Sequence, residues 1–221
     1  MPQEARREDC WALIAIKRRN QCKSRLTNLT SARRSQLVHL MLENVLDALR
    51  SSRCVGQIAV ISPGSDEHRS DVLTLRDSGA GLNAALEIGR RQLVGLGARE
   101  LVVLPADLPF LCAADVDHLV SAGRRAGSAI APDAAGTGTN GLYLRAVSAF
   151  QFRFGPGSCA AHKAQSCTEG RPAPIVCTDG FAHDVDLAED IAKLSLHPDE
   201  RFRLVFERSR TETWLPTAHL V

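Results

Sequence analysis

Three stretches of this chain carry residues whose types and spacing suit the handling of phosphates and a hard cation. The first is IKRRNQCKSRL (16–26), where Lys17, Lys23 and Arg25 lie in a segment with no acidic residue from Cys10 to Arg34. Ammonium and guanidinium groups with no carboxylate to neutralise them suit a triphosphate better than an apolar ligand, although a solvated basic face has the same composition. The second is PADLP (105–109), where Asp107 stands between two prolines that end a strand and set the backbone. A carboxylate so placed suits a hard cation, and a turn aspartate is the plainer alternative. The third is DVDLAEDI (184–191). Asp184 and Asp186 alternate, so an extended backbone points them to opposite sides, and Asp186 with Glu189 also reads as a capping box. A capping carboxylate still has an oxygen for a metal, so the two roles are compatible.

Glycine-rich segments supply the other candidates. GAGLNA (79–84) and GTGTNG (136–141) both match the dinucleotide fingerprint in outline, but the first follows a third strand and the second precedes a strand rather than a helix. Neither is in the required βα turn. What survives is physical: glycine lets a backbone approach a phosphate or base closely, and a helix starting at 82 offers free amides. No GxxxxGK[ST] occurs, which excludes a P-loop. FGPGS (154–158) opens a helix and is either a plain helix start or a phosphate cradle of amides with the Ser158 hydroxyl. It is not a nucleophile elbow, because Ala160 stands where glycine is required. The seven histidines show neither HExxH nor triad spacing, and His162 reads either as a group facing the same anion or as a surface residue.

The charge distribution supports an anion site. The chain is net +2, but residues 1–34 hold nine basic and three acidic residues, so +6 meets −4 on the remainder. With 221 residues, 44% apolar and 24% charged, the composition is that of one ordinary globular domain, not a disordered chain. No apolar run approaches the roughly 18 residues of a membrane span, and the N-terminus lacks a secretory signal, so a cytoplasmic protein is expected. Seven cysteines without CxxC spacing argue against a disulfide framework or zinc knuckle and read mostly as buried fillers.

The positioning elements follow from periodicity. Strands are expected at 11–16, 55–61, 72–75, 101–105, 128–132, 141–146 and 174–177. Helices are expected at 30–50 with Thr30 or Ser31 as N-cap, and at 81–97, 113–127 and 158–170. This alternation predicts an α/β fold, a mostly parallel mixed sheet with helices on both faces. Ligands in such sheets sit at the carboxyl ends of the strands, which puts 17–25, 76–83, 105–109 and 136–140 at one rim. A single domain over 11–196 is expected, between a flexible N-terminus (1–10) and a C-terminal extension (197–221).

In this order, AIKRRNQCKSRL, GLNAAL, VVLPADLPFL, GTGTNGLYL, FGPGSCAAH and DVDLAEDI resemble the CofC-type guanylyltransferases of coenzyme F-420 biosynthesis, relatives of the molybdenum-cofactor nucleotidyltransferases. The resemblance implies a Rossmann-like fold of the nucleotide-diphospho-sugar transferase kind. It also implies transfer of GMP from GTP to the phosphate of a three-carbon acid (phosphoenolpyruvate, 2-phospho-L-lactate or 3-phospho-D-glycerate), with release of pyrophosphate. Carried over by position, Lys17, Lys23, Ser24 and Arg25 would hold the GTP phosphates, and Gly81, Leu82 and Asn83, with Pro105 and Ala106, the rest of the nucleotide. Asp107 and Asp186 would ligate Mg²⁺, and Lys17, Lys23, Arg25 and Asp107 would be catalytic. Thr139, Gly155 and Ser158 would hold the acid's phosphate. The implied partners are GTP and the phospho-acid, with the next transferase of the pathway a further candidate and neither nucleic acid nor membrane. The chain departs from the family at Ala161, often arginine there, and in its longer tail.

Two rival classes share some of these features. Another nucleotidyltransferase of the same fold would keep the sheet and metal but change the second substrate. A non-catalytic nucleotide-binding module, or a nucleic-acid-binding one, could use the basic loop, but aromatics are only 5% and the positive charge is confined to one loop.

Overall fold

The expected alternation of strands and helices is present in a computed structural model that describes residues 7–16, 29–64, 70–77, 79–146, 148–168, 170–185, 190–194 and 197–207. The strands are β1 (Cys10–Ala15), β2 (Gln57–Ser62), β3 (Leu73–Arg76), β4 (Glu100–Leu104), β5 (Ser128–Pro132) and β6 (Thr139–Arg145). The helices are α1 (Ser31–Ser51), α2 (Leu82–Gly95), α3 (Ala113–Ala126), α4 (Ser158–Thr168), α5 (Asp179–Ala182), α6 (Asp190–Leu194) and α7 (Glu200–Glu207). Thr30 is the α1 N-cap, its hydroxyl accepting from the Arg33 amide at 3.3 Å.

The sheet order is β3-β2-β1-β4-β6-β5. β1 pairs parallel with β2 and β4, β2 pairs parallel with β3, and β6 runs antiparallel to both β4 and β5. Five strands therefore share one direction and β6 opposes them. Alternation along the strands sorts the core into two layers. Ala12, Ile14, Val102 and Leu104 pack with Leu42, Val45 and Leu46 of α1, with Val116, Leu119 and Val120 of α3 and with Phe181 of α5. Leu13, Leu101, Val103 and Leu142 pack with Leu86 and Leu93 of α2 and with Cys159 of α4 on the opposite face. Helices on both faces are thus what the periodicity implies.

Two local expectations differ. The strand expected at 174–177 is reduced to one bridge, Ile130 with Ile175, because Pro172 and Pro174 have no N–H to extend a ladder. The cysteines are not mostly buried: Cys10 and Cys159 are, but Cys112, Cys167 and Cys177 are exposed.

Of the C-terminal extension, the described residues 197–207 include α7, which packs on the body. Phe202 and Val205 of α7 are buried with Leu37 and Met41 of α1 in a satellite apolar cluster. Among the described residues no helix is long and apolar enough to cross a membrane.

At the amino end of β4, Arg124 of α3 donates through Nε (3.0 Å) and Nη2 (2.9 Å) to Glu100 Oε2. Above this pair Tyr143 is fully buried against α3, at a point where any Cβ on Gly123 would collide with its ring. Gly123→Ala is therefore expected to destabilise by about 1–3 kcal/mol through overpacking, read as a lower urea midpoint. An unchanged midpoint would show that the helix–sheet spacing there is not set by Tyr143.

Candidate active site

Strand register brings the glycine-rich and acidic segments to one edge of the sheet. Ile14 pairs with Leu104, Val103 with Leu142, and Pro132 with Thr139, so the ends of β1, β4 and β5 lie level with the start of β6. Ile16, the last described residue before the basic segment, is bonded to the Ile61 carbonyl at this rim (2.9 Å). The residues called at 17–28, Lys17, Lys23, Ser24 and Arg25, lie outside the described residues, as does Asp186.

The loop after β4 carries Pro105, Ala106 and Asp107, all half-buried. Two distant side chains hold it. Asn44 of α1 donates through Nδ2 to the carbonyls of Leu108 (3.0 Å) and Leu111 (3.1 Å). His197, buried between Phe110 and Phe202, accepts the Asp199 N–H at Nδ1 (3.0 Å), so its proton is on Nε2 and is donated to the Pro109 carbonyl at 2.8 Å. Neither residue has a local signal in sequence, since the contacts span 64 and 88 positions.

Opposite this loop, GTGTN wraps around a carboxylate. Asp133 accepts the amides of Thr137 (2.8 Å) and Gly138 (2.9 Å), so these are not offered to a ligand. These bonds reach four and five residues along the chain, so an aspartate heading the glycine-containing loop DAAGTG is a local feature of the sequence. The next helix is tied to the same loop: Cys159 N–H donates to the Thr137 carbonyl (3.1 Å) and Ser158 N–H to the Gly155 carbonyl (3.1 Å). The Ser158 amide of FGPGS and the adjoining Cys159 amide are thereby committed inside the protein. Gly155 has φ 130°, a conformation that favours glycine. Ser158, the first residue of α4, is buried.

Between these segments lies His162, which is neither a surface residue nor an anion-facing one. It is fully buried, in ring contact with Phe150 and Phe154. Its Nε2 accepts the Arg153 N–H at 3.0 Å, and its Nδ1 is 3.0 Å from the Thr139 hydroxyl. Burial, with the Arg153 charge nearby, lowers its pKa from 6.5 to about 4.

Of the residues expected to line the nucleotide, Gly81 (φ 103°) caps α2 and Leu82 is exposed. Asn83 is turned toward the protein: its amide donates to the Phe154 carbonyl (3.0 Å) and accepts the Phe154 N–H (2.8 Å), tying α2 to FGPGS. Register and these ties bring Asn83, Thr139, Gly155, Ser158 and His162 into one corner of the rim.

Of the acidic residues expected near a cation, Asp107 in the loop after β4 and Asp184 are described; Asp184 Oδ1 meets Asn140 Nδ2 at 3.4 Å, the same amide also donating to the Phe181 carbonyl at 2.8 Å. Oxygen donors of this kind fit a hard divalent ion. Among the described residues no group of three or more His, Cys, Asp and Glu could hold a metal.

The family profile described as "Guanylyl transferase CofC like" matches residues 10–210. The chain belongs to this family. A phosphoenolpyruvate guanylyltransferase of Sphaerobacter thermophilus is 37% identical over 84% of this chain and 92% of its own length. A 3-phospho-D-glycerate guanylyltransferase of Phenylobacterium zucineum is 32% identical over 85% and 90%. In fold, this CofC-like guanylyltransferase is similar to a Desulfovibrio desulfuricans structure assigned to the nucleotide-diphospho-sugar transferases (TM-score 0.74, 13% identity, covering 91% of this chain and 96% of that one). It is also similar to a 4-diphosphocytidyl-2C-methyl-D-erythritol synthase (TM-score 0.60, 15% identity, 87% and 99%).

Two stability tests follow. Asn44→Leu removes both donors to the Asp107 loop and is expected to cost about 1–3 kcal/mol by urea unfolding; no loss would mean the loop is held by other contacts. For His162, the ring is neutral in both states above pH 6.5 and adds no slope there. As pH falls toward 4 the unfolded chain takes up a proton that the folded chain refuses, so stability drops by about 3 kcal/mol from this group. The difference between wild type and His162→Gln should therefore shrink from pH 7 to pH 4, and a pH-independent difference would contradict a neutral buried ring.

Proposed function

We propose that this guanylyltransferase transfers GMP from GTP to the phosphate of a three-carbon phospho-acid, as a step of coenzyme F-420 biosynthesis. Family membership supports the reaction class. The observation that carries the reading of the site is the antiparallel entry of β6, which starts Thr139 level with the segment carrying Asp107. Phosphoenolpyruvate is the acid we assign first, because the 37%-identical relative is named for it; 3-phospho-D-glycerate, named for the 32%-identical one, is second.

On this reading a phosphate oxygen of the acid attacks the α-phosphorus of GTP, the new P–O bond forms as the α–β bridge breaks, and pyrophosphate leaves with its electron pair. The attacking oxygen is already ionised, so no general base and no covalent intermediate are needed. The problem is bringing two polyanions together. Lys17, Lys23 and Arg25 would neutralise the triphosphate, with Ser24 as a further donor, while Gly81, Leu82 and Asn83, with Pro105 and Ala106, would bound the nucleotide. Thr139, Gly155 and Ser158 would receive the acid's phosphate. Asp107 and Asp186 would hold Mg²⁺, with Asp184 beside them. When bound, the ion supplies positive charge that offsets the repulsion between the two phosphates.

The test is incubation with GTP, Mg²⁺ and each of phosphoenolpyruvate, 3-phospho-D-glycerate and 2-phospho-L-lactate, reading pyrophosphate and the guanosine diphospho-acid. Consumption of none of the three would overturn the substrate class. Asp107→Asn is expected to lower turnover about 100-fold or more, by analogy with deletion of other preorganised electrostatic groups. Near-normal pyrophosphate release by that variant would remove Asp107 from the site.

A further inference from the structure

The buried pair Thr139–His162 has a hydrogen-bond polarity fixed by the backbone. Arg153 contributes a peptide N–H, which can only donate, and it points at His162 Nε2 (3.0 Å). Nε2 must therefore be the ring's unprotonated nitrogen. A neutral imidazole with an acceptor at Nε2 carries its proton on Nδ1, and the group 3.0 Å from Nδ1 is the Thr139 hydroxyl. Thr139 thus accepts from the ring and has its own proton left to donate. Thr139 is the first residue of β6, at the rim, and is 6% exposed. No acceptor for that proton is found among the described residues.

The ring cannot escape this arrangement. Phe150 and Phe154 enclose it (centroid distances 5.7 and 5.1 Å), the Arg153 backbone it bonds is next to Phe154, and Phe154 is itself clamped by Asn83. A second proton on the ring would meet the Arg153 N–H head-on inside an apolar enclosure, consistent with the lowered pKa.

We infer that His162 is a positioning residue that, by donating to the Thr139 oxygen, turns the Thr139 hydroxyl proton toward an anionic oxygen of the phospho-acid. The inference rests on the reading of Thr139 as a contact of that acid. It assigns the histidine a role through the threonine alone, with no contact to substrate and no change of charge during the reaction.

The closing experiment is a double-mutant cycle on the full chain using Thr139→Val and His162→Leu, with His162→Gln as the conservative variant. A glutamine amide offers one donor and one acceptor and can bridge the same two partners. Thr139→Val is expected to raise the KM for phosphoenolpyruvate, or whichever of the three acids is consumed, about tenfold, the size of one hydrogen bond to a charged group, with the KM for GTP unchanged. His162→Leu should do the same, the double variant should be no worse than either single one, and His162→Gln should recover most of the loss. If Thr139→Val acts but His162→Leu does not, or if the two effects multiply, the positioning role is overturned while the acid site stands. If Thr139→Val leaves the KM for the acid unchanged, the acid-site reading of Thr139 fails and takes the inference with it. Should His162→Leu fail to fold, long-range ¹H–¹⁵N spectra of the wild-type ring decide the question: protonated Nδ1 with bare Nε2 is expected, and the opposite tautomer overturns it.

Discussion

Backbone pairing between β4 and β6 decides where every other group of the rim can be. Because β6 runs against its neighbours, it starts where they end, and Thr139 and Asn140 arrive beside the segment Pro105–Asp107. Run parallel instead, the seven residues of β6 would carry that start to the other edge of the sheet, roughly 20 Å away. Acidic, glycine-rich and helix-opening segments scattered through the chain thereby converge on one edge, which no local propensity could achieve.

Convergent loops need internal partners to keep a shape, and here the partners are polar side chains bonded to backbone. Asn44 and His197 grip the segment after Asp107, Asp133 fills the turn of GTGTN, and Asn83 grips Phe154. Each such bond contributes only about 1 kcal/mol net, but a partner left unsatisfied in the interior costs more, so the set tolerates little rearrangement. The same bonds explain why amides that look like phosphate cradles are already occupied. What these loops can offer a ligand is narrowed to hydroxyls, remaining amides and carboxylates.

Charge is arranged with similar economy. A histidine beside a glycine-rich, helix-opening segment would ordinarily be read as a cation for an anion, yet His162 is kept neutral by its aromatic enclosure and by the Arg153 N–H. Its part in the site is directional rather than electrostatic. The chain's excess positive charge lies in the first 34 residues, and the described rim adds Asp107 and Asp184.

Composition and periodicity were enough to read the α/β class, the boundaries of most strands and helices, the two-faced helical cover and the common rim of the segments at 105–109 and 136–140, because burial imposes a period of two on strands and three to four on helices. Ordered motifs such as KSRL, PADLP and FGPGS were enough to read the family. The reversal of β6 was not legible, since a buried strand looks the same in either direction. Nor were the single bridge at Ile175, the burial of His162, or the grips of Asn44 and His197, which join residues 64 and 88 positions apart. Asp133 was the exception, a local contact within DAAGTG. The sequence by itself determined which chemical groups are available and on what kinds of element they ride, because those depend on near neighbours. Only the tertiary structure decided which groups meet, which amides and ring nitrogens are already engaged, and which way a hydroxyl proton points, because those depend on partners that the chain brings together only when folded.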